Sequence, residues 1–378
     1  MSGISITCVI SSLGCGGAER VMANLTRRLA ALGYGVTLLT LDATIPDHFA
    51  LSPAVGRRTL PEHAIASCRW FDWRSQRARN AGLREAILWE RPRLVISFLD
   101  SVNISVLMAL SGSGVPVIVA EHTDPRFHDI GWRWSLLRRF WYPRAARVVM
   151  LTEGTRQWAE SQWPRWRATA IPNAVEPMGD GVESPRPEFF GARTVLAMGR
   201  LGPEKGYDRL LRAFADLAGR FPGWKLVIFG EGAERAALER SIADFGLGGR
   251  VELPGIVANP GSILPSADLF VLSSRFEGFP MALAEAMVCG VPVVAFDCPS
   301  GPAEIIRDGV DGLLVPRDNV DALRAAMARL MGDEAERRRL GERGREVAER
   351  FAPERIVGMW RDLIEEVVGS RDPAGNQG

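Results

Sequence analysis

One local pattern occurs twice in this chain, and it restricts the fold more than any other feature. In the first half, residues 4–10 form an apolar run rich in Ile and Val, followed by the glycine-rich loop SSLGCGGAER. Val21, Leu25, Leu29 and Leu32 then recur at helical spacing, Gly33 ends that stretch, and residues 36–41 form a second apolar run. The order restarts at residues 194–198 with the loop GRLGPEKG, a helical face of Leu210, Leu211, Phe214 and Leu217, a run at 225–229 and the turn Gly230-Glu231-Gly232. Short runs that are apolar on both faces are strands of a buried parallel sheet, because the crossover helices cover both sides. Further runs at 94–98, 115–120 and 148–151, a strand end at 171–173, and runs at 251–253, 269–272 and 291–296 extend the two sheets. Residues 235–245 and 321–331 are helical in period. The fold class expected is α/β: two doubly wound Rossmann-like domains facing across a deep cleft, with ligands at the carboxyl ends of the strands.

The 378 residues suit two to three ordinary domains. The segment GDGVESPRP, residues 179–187, is polar and rich in Gly and Pro, as a linker is. The expected division is 1–180 as an amino-terminal domain and 187–352 as a second domain. Residues 353–378 then form a helix and tail, with Ile356, Val357, Trp360, Leu363, Ile364 and Val367 on one face. That helix has no later partner in the chain and is expected to cross back to the first domain.

Net charge is +1, unevenly spread: residues 1–185 carry 21 Lys+Arg against 16 Asp+Glu, and the remainder 25 against 29. Nine of the eleven Trp also lie in the first part. Residues 69–79 (RWFDWRSQRAR) and 132–144 (WRWSLLRRFWYPR) interleave Trp with Arg, which suits an anionic membrane surface as well as ordinary packing. Weak overall basicity and the lack of a nucleic-acid motif argue against nucleic acid. The five Cys include no close pair, and with four His no zinc constellation is expected. Cys8 and Cys289 are expected to be buried thiols. No signal peptide or 18-residue uncharged span is visible, so the expected location is cytoplasmic, peripheral on the inner face of the cell membrane.

The residues placed for chemistry cluster in the second half. Arg275–Ala295 reads RFEGFPMALAEAMVCGVPVVA. Pro280 can open a helix and Gly290 close it, so Gly278, Phe279 and the first helical N–H groups form a phosphate-sized nest at a strand end. Glu277 and Glu285 flank that nest and suit sugar and ribose hydroxyls, with a surface Glu and a packing Glu as the plain alternative. Arg200 and Lys205, in the loop after residues 194–198, can neutralise a diphosphate without a metal. No Asp-x-Asp occurs, which weakens a metal-bridged alternative. In the first half, Gly16 and Gly17 permit close backbone approach to a ligand, but neither a complete dinucleotide fingerprint nor a P-loop is present. His122, in Glu121-His122-Thr123-Asp124, ends an apolar strand and is the histidine placed at a ligand site; His48, His63 and His128 are expected at the surface.

Taken together, these motifs resemble glycosyltransferase family 4, the retaining family with the GT-B fold. EGFPMALAE, from Glu277 to Glu285, stands as that family's Glu-x7-Glu motif, alongside GRLGPEKG, FGEG at 229–232, IPNAV at 171–175, GGAER at 16–20 and EHTD at 121–124. The resemblance implies a nucleotide-diphosphate-sugar donor and no cofactor or metal. Arg200 and Lys205 would hold the donor diphosphate on the helix after Pro280, Glu285 the ribose, and Glu277 hydroxyls of the transferred sugar. His122 would contact that sugar, Gly16 and Gly17 would shape the donor–acceptor boundary, and Asn173 would mark the hinge. Ala174 stands where many relatives have Gly. The implied activity is retaining transfer of a hexosyl or N-acetylhexosaminyl group to a glycan acceptor, polyprenyl-diphosphate-linked or otherwise lipid-linked, in bacterial surface-glycan synthesis. A nucleotide-sugar 2-epimerase and a silent membrane-docking protein of the same fold are the alternatives.

Overall fold

The computed structural model describes residues 3–60, 73–177, 187–257 and 259–370. Most of the expected linker, Cys68, His63 and the first part of the 69–79 stretch lie outside the described residues. The described chain divides into two compact units, Met1–Ala174 with Glu354–Gly378, and Val175–Pro353.

Among the described residues, the first unit contains seven strands: β1 Ser5–Ile10, β2 Gly35–Thr40, β3 Gly56–Thr59, β4 Leu94–Phe98, β5 Val117–Ala120, β6 Arg147–Met150 and β7 Ala168–Ala170. They form one sheet in the order β3-β2-β1-β4-β5-β6-β7, every pair parallel. Its helices are α1 Gly17–Ala31, α2 Trp73–Leu88, α3 Asp100–Ala109, α4 Trp132–Trp141 and α5 Glu153–Gln162. Strands β1 and β4 are fully or nearly fully buried, which explains their unbroken apolar sequence. The chain reverses direction of progress between β1 and β4, and Leu99, just beyond β4, adopts φ 75°, a strained setting for a residue with a Cβ.

The second unit contains β8 Arg193–Met198, β9 Trp224–Phe229, β10 Val251–Gly255, β11 Leu269–Leu272, β12 Val293–Asp297 and β13 Leu313–Pro316, in the order β10-β9-β8-β11-β12-β13, again all parallel. Helices α6 Tyr207–Ala218, α7 Arg235–Asp244, α8 Met281–Val288, α9 Pro302–Ile305, α10 Val320–Gly332, α11 Glu334–Gly344 and α12 Val347–Arg350 accompany them. Leu210, Leu211, Phe214 and Leu217 of α6 are buried against Val195, Leu226 and Phe296 of the sheet.

The last helix, α13 Pro353–Gly369, contributes Ile356, Trp360, Leu363, Ile364, Val367 and Val368 to the core of the first unit, with Ile6, Cys8, Leu25 and Phe98. Arg28 on α1 pairs with Glu354 at 3.1 Å, and Arg147 on β6 with Glu366.

Several local expectations need correcting. Residues 171–173 are not a strand; β7 precedes them, and the edge strands β3 and β7 had no apolar signal because they are largely exposed or half-exposed. Cys289 is only half-buried, and Cys298 joins Cys8 as the buried thiol, both pushed up to about 12 by burial. His128 is partly exposed, as a surface group is, and it also pairs with Asp100 at 3.2 Å, a carboxylate that raises its pKa.

Candidate functional site

In the second unit, three loops at the carboxyl ends of adjacent strands are stitched together by backbone bonds. Gly199 N–H donates to Phe229 O at 3.0 Å, Leu201 N–H to Glu231 O at 2.9 Å, and Gly230 N–H to Gly255 O at 2.8 Å. The loop after β8 is then tied to the loop after β11: Arg275 N–H donates to Glu204 O at 2.7 Å and Ser273 Oγ to Lys205 O at 2.9 Å. Such close approach needs glycine. At Gly206 (φ +62°) an added Cβ would lie 2.2 Å from Ser273 O, and at Gly230 (φ +144°) 1.9 Å from Gly199 O.

This stitching brings Lys205 to Glu277, with Nζ to Oε1 at 2.7 Å. Ser274 Oγ donates to the same oxygen at 2.6 Å, and Ser300 Oγ donates to the Glu277 carbonyl. Glu277 is therefore a buried carboxylate already held by a cation and a hydroxyl. Gly278, Phe279 and Pro280 follow, and Pro280 (φ −74°, ψ 87°) caps α8 without a side-chain bond. No side-chain cap takes the opening N–H groups of that helix, and an uncapped helix start is a geometry that can accept an anion. Phe279 is buried with its ring 5.2 Å from Phe351, edge to face. Glu285 is buried within α8.

Arg200 sits differently from Lys205. Its side chain is 73% exposed, with Nη2 2.6 Å from Glu204 Oε1 on the same loop. It is solvent-exposed and held within its own loop, while Lys205 reaches across to Glu277. The Tyr207 hydroxyl, at the start of α6, is buried without a hydrogen-bond partner, and burial together with the nearby Glu277 and Glu204 charges pushes its pKa beyond the usual phenol range.

In the first unit, Gly16 precedes α1 and Gly17 opens it, with no atom within 4 Å of a Cβ built on Gly17. His122 lies just past β5. Its ring centroid is 4.2 Å from that of Phe98, and its Nε2 is shielded from solvent with no hydrogen-bond partner, although part of the residue reaches the surface. Burial pushes its pKa down to about 3, so the imidazole is neutral near pH 7. A neutral ring with one unsatisfied nitrogen is a hydrogen-bonding group for a hydroxyl rather than a cation. Asn173 is buried one residue before the last residue of this unit's first segment.

Sequence reasoning missed Ser274, Ser300 and Tyr207 around Glu277, and, beside His122 in the chain, Glu121 with Tyr142, Asn103, Arg138, Asp100 and His128 around it. The missed residues have no motif of their own; the unbroken acid-histidine pair Glu121-His122 was the one available signal. Among the described residues, no group of three or more His, Cys, Asp or Glu side chains is placed to hold a metal ion, and no helix is long and apolar enough to cross a membrane.

The family description Glycosyltransferase Family 4 matches residues 15–178, and Glycosyl transferases group 1 matches residues 185–347. The chain is 40% identical over 271 residues to an exopolysaccharide phosphotransferase of Streptomyces coelicolor, covering 71% of this chain but only 28% of that protein's length. It is 27% identical over 365 residues to the GalNAc-alpha-(1->4)-GalNAc-alpha-(1->3)-diNAcBac-PP-undecaprenol alpha-1,4-N-acetyl-D-galactosaminyltransferase of Campylobacter jejuni, covering 96% of this chain and 99% of that protein. Among solved structures, the sucrose-phosphate synthase of Thermosynechococcus elongatus superposes with a TM-score of 0.82 at 21% identity, over 97% of this chain and 100% of that one. With two sheets of matching topology and both halves matched in order, the chain belongs to glycosyltransferase family 4 and has the GT-B fold.

Proposed function

We propose that this glycosyltransferase moves a hexosyl or N-acetylhexosaminyl group from a nucleotide-diphosphate sugar to a lipid-linked glycan acceptor in bacterial glycan synthesis, with retention of anomeric configuration. The observation that carries this reading is the Lys205–Glu277 contact beside the start of α8. A carboxylate held by an ammonium and a serine hydroxyl is a fixed hydrogen-bond acceptor, and a poor nucleophile or proton donor. Glu277 then orients sugar hydroxyls, and Glu285 binds the ribose. Lys205, Arg200 and the α8 N–H groups take the diphosphate and its charge as the glycosidic bond breaks, so leaving-group stabilisation needs no metal. His122 contacts the transferred sugar as a neutral hydrogen-bonding group. Gly16 and Gly17 line the boundary between donor and acceptor.

The lipid-linked acceptor is supported by the undecaprenol-linked substrate named for the Campylobacter relative. The Arg- and Trp-rich face of α4 supports an anionic membrane surface as a further partner.

The reading is tested by acceptor-dependent release of nucleoside diphosphate in a donor screen with lipid-linked acceptors, followed by NMR of the new linkage. Arg200→Ala with Lys205→Ala should lower turnover about a hundredfold or more. Near-normal turnover of that double variant would place the diphosphate elsewhere, and conversion of the donor without any acceptor would favour the epimerase.

A further inference from the structure

Glu121 is the first residue beyond β5, with its N–H bonded to Val149 O at 3.0 Å, and its carboxyl is buried on the side of α3 and α4. Tyr142 OH, in the turn after α4, donates to Glu121 Oε1 at 2.5 Å. Asn103 of α3 donates from Nδ2 both to Tyr142 OH (3.2 Å) and to Ala120 O (2.9 Å). Arg138 of α4 lies 3.6 Å from the same Glu121 oxygen and reaches Pro125 O at 3.4 Å. Three elements therefore close around one side chain at the end of one strand.

The next residue is His122. Successive side chains of an extended chain point to opposite faces, and the surroundings agree. Tyr142 belongs to the core under α3 and α4, whereas Phe98, which carries the His122 ring, belongs to the core shared with α1 and α13. Rotating the peptide between residues 121 and 122 would move both groups, so a locked Glu121 locks His122.

We propose that Glu121 is a positioning residue for His122: tied to Tyr142 and Arg138, with Asn103 bracing Tyr142 and the Ala120 carbonyl, it fixes the end of β5 so that the imidazole stays on Phe98 with Nε2 left for a sugar hydroxyl. This inference rests on the reading that His122 contacts the transferred sugar. The lock is ionic as well as geometric, because the carboxylate form pairs with the guanidinium. Burial raises the Glu121 pKa to about 7, with Arg138, Tyr142 and His128 opposing that rise and Asp100 adding to it. As pH falls through about 7, Glu121 takes a proton, the charge of Arg138 loses its partner, and the lock slackens.

The test measures kcat, KM for the donor and the pH–rate profile of the enzyme in wild type, Glu121→Gln, Tyr142→Phe, His122→Ala, His128→Gln and the pairs of Glu121→Gln and Tyr142→Phe with His122→Ala. Glu121→Gln should lower kcat roughly tenfold with little change in donor KM, as a displaced contact near the reacting group does. Its effect should vanish in the His122→Ala background. The acid limb of the wild-type profile should disappear in Glu121→Gln and persist in His128→Gln. Additive losses in either pair, or an acid limb removed by His128→Gln instead, would overturn the positioning role alone. Normal turnover of His122→Ala would overturn the His122 reading and this inference with it. Tyr142→Phe removes one hydroxyl and keeps the carboxylate, so if Glu121→Gln does not fold it should still lower kcat and lose that effect in the His122→Ala background while the acid limb persists; unchanged kcat in a folded Tyr142→Phe counts against the lock.

Discussion

Glu121 and His122 are neighbours whose pKa values are displaced in opposite directions, and this has a consequence for stability. His122 is held at about 3 against an ordinary 6.5, so between those values the unfolded chain binds a proton that the native one refuses. Its contribution to stability is present above about 6.5 and lost as pH falls towards 3. Glu121 is held at about 7 against an ordinary 4.5, so its contribution is full below 4.5 and lost as pH rises through 7. The two effects oppose each other across the window they share. Removing either one should expose the other: relative to wild type, Glu121→Gln should gain stability as pH rises from about 4.5 to 7, and His122→Phe should gain stability as pH falls from about 6.5 towards 3. Thermal unfolding of the three proteins across pH 4–8 checks this, and parallel curves would refute the opposed displacements.

The element that most invites a partner is α4. Trp132, Leu136 and Phe140 recur every four residues along it and are 70%, 57% and 56% exposed. Arg133 and Arg139 share the exposed side, and Arg144 lies 4.0 Å over the Phe140 ring. No acidic residue interrupts the segment from Trp132 to Arg144. Trp134, Leu137 and Trp141 face inwards, so the helix can offer the outer stripe without unfolding. On the proposed function, that stripe lies in the headgroup region of an anionic bilayer. Wild type should cosediment with anionic vesicles at low salt, and Leu136→Ser with Phe140→Ser should reduce the bound fraction several-fold at unchanged melting temperature. Failure of the wild type to bind at low salt would remove the membrane from the proposal. The sequence displayed the Trp–Arg alternation here but not its division into an inner and an outer face, since that depends on which side meets α3.

At the scale of the molecule, the first unit is built from two stretches of chain that are far apart in sequence. Its core is completed by α13, where Trp360 lies 4% exposed with its ring 6.0 Å from Phe98. Val175 N–H bonds to Phe351 O at 3.0 Å, so the two ends of the second unit's segment are tied to each other. Trp360→Ala should destabilise the first unit by about 3–5 kcal/mol, the usual result of emptying a large aromatic site. Calorimetry should show one unfolding transition lowered and the other unchanged; a shift of both together would mean that the units unfold as one.

What the sequence determined by itself was whatever repeats locally. Buried parallel strands need apolar runs on both faces, crossover helices need a 3.6-residue period, and Pro280 and Gly290 bracket a helix wherever it is placed. The two sheets, the candidate phosphate-binding helix start and the Glu277–Glu285 pair were therefore legible, and Arg200 and Lys205 with them. Tertiary structure decided what has no local period. The Lys205–Glu277 contact joins residues 72 positions apart, and Tyr142 meets Glu121 across 21. His128 finds Asp100 only because β4 and β5 lie side by side. Edge strands such as β3, exposed and charged, needed a neighbouring strand's backbone to define them. Periodicity reports which face of an element is buried; only the assembled fold reports which two buried polar groups meet there, because that depends on register between elements and not on the order within one.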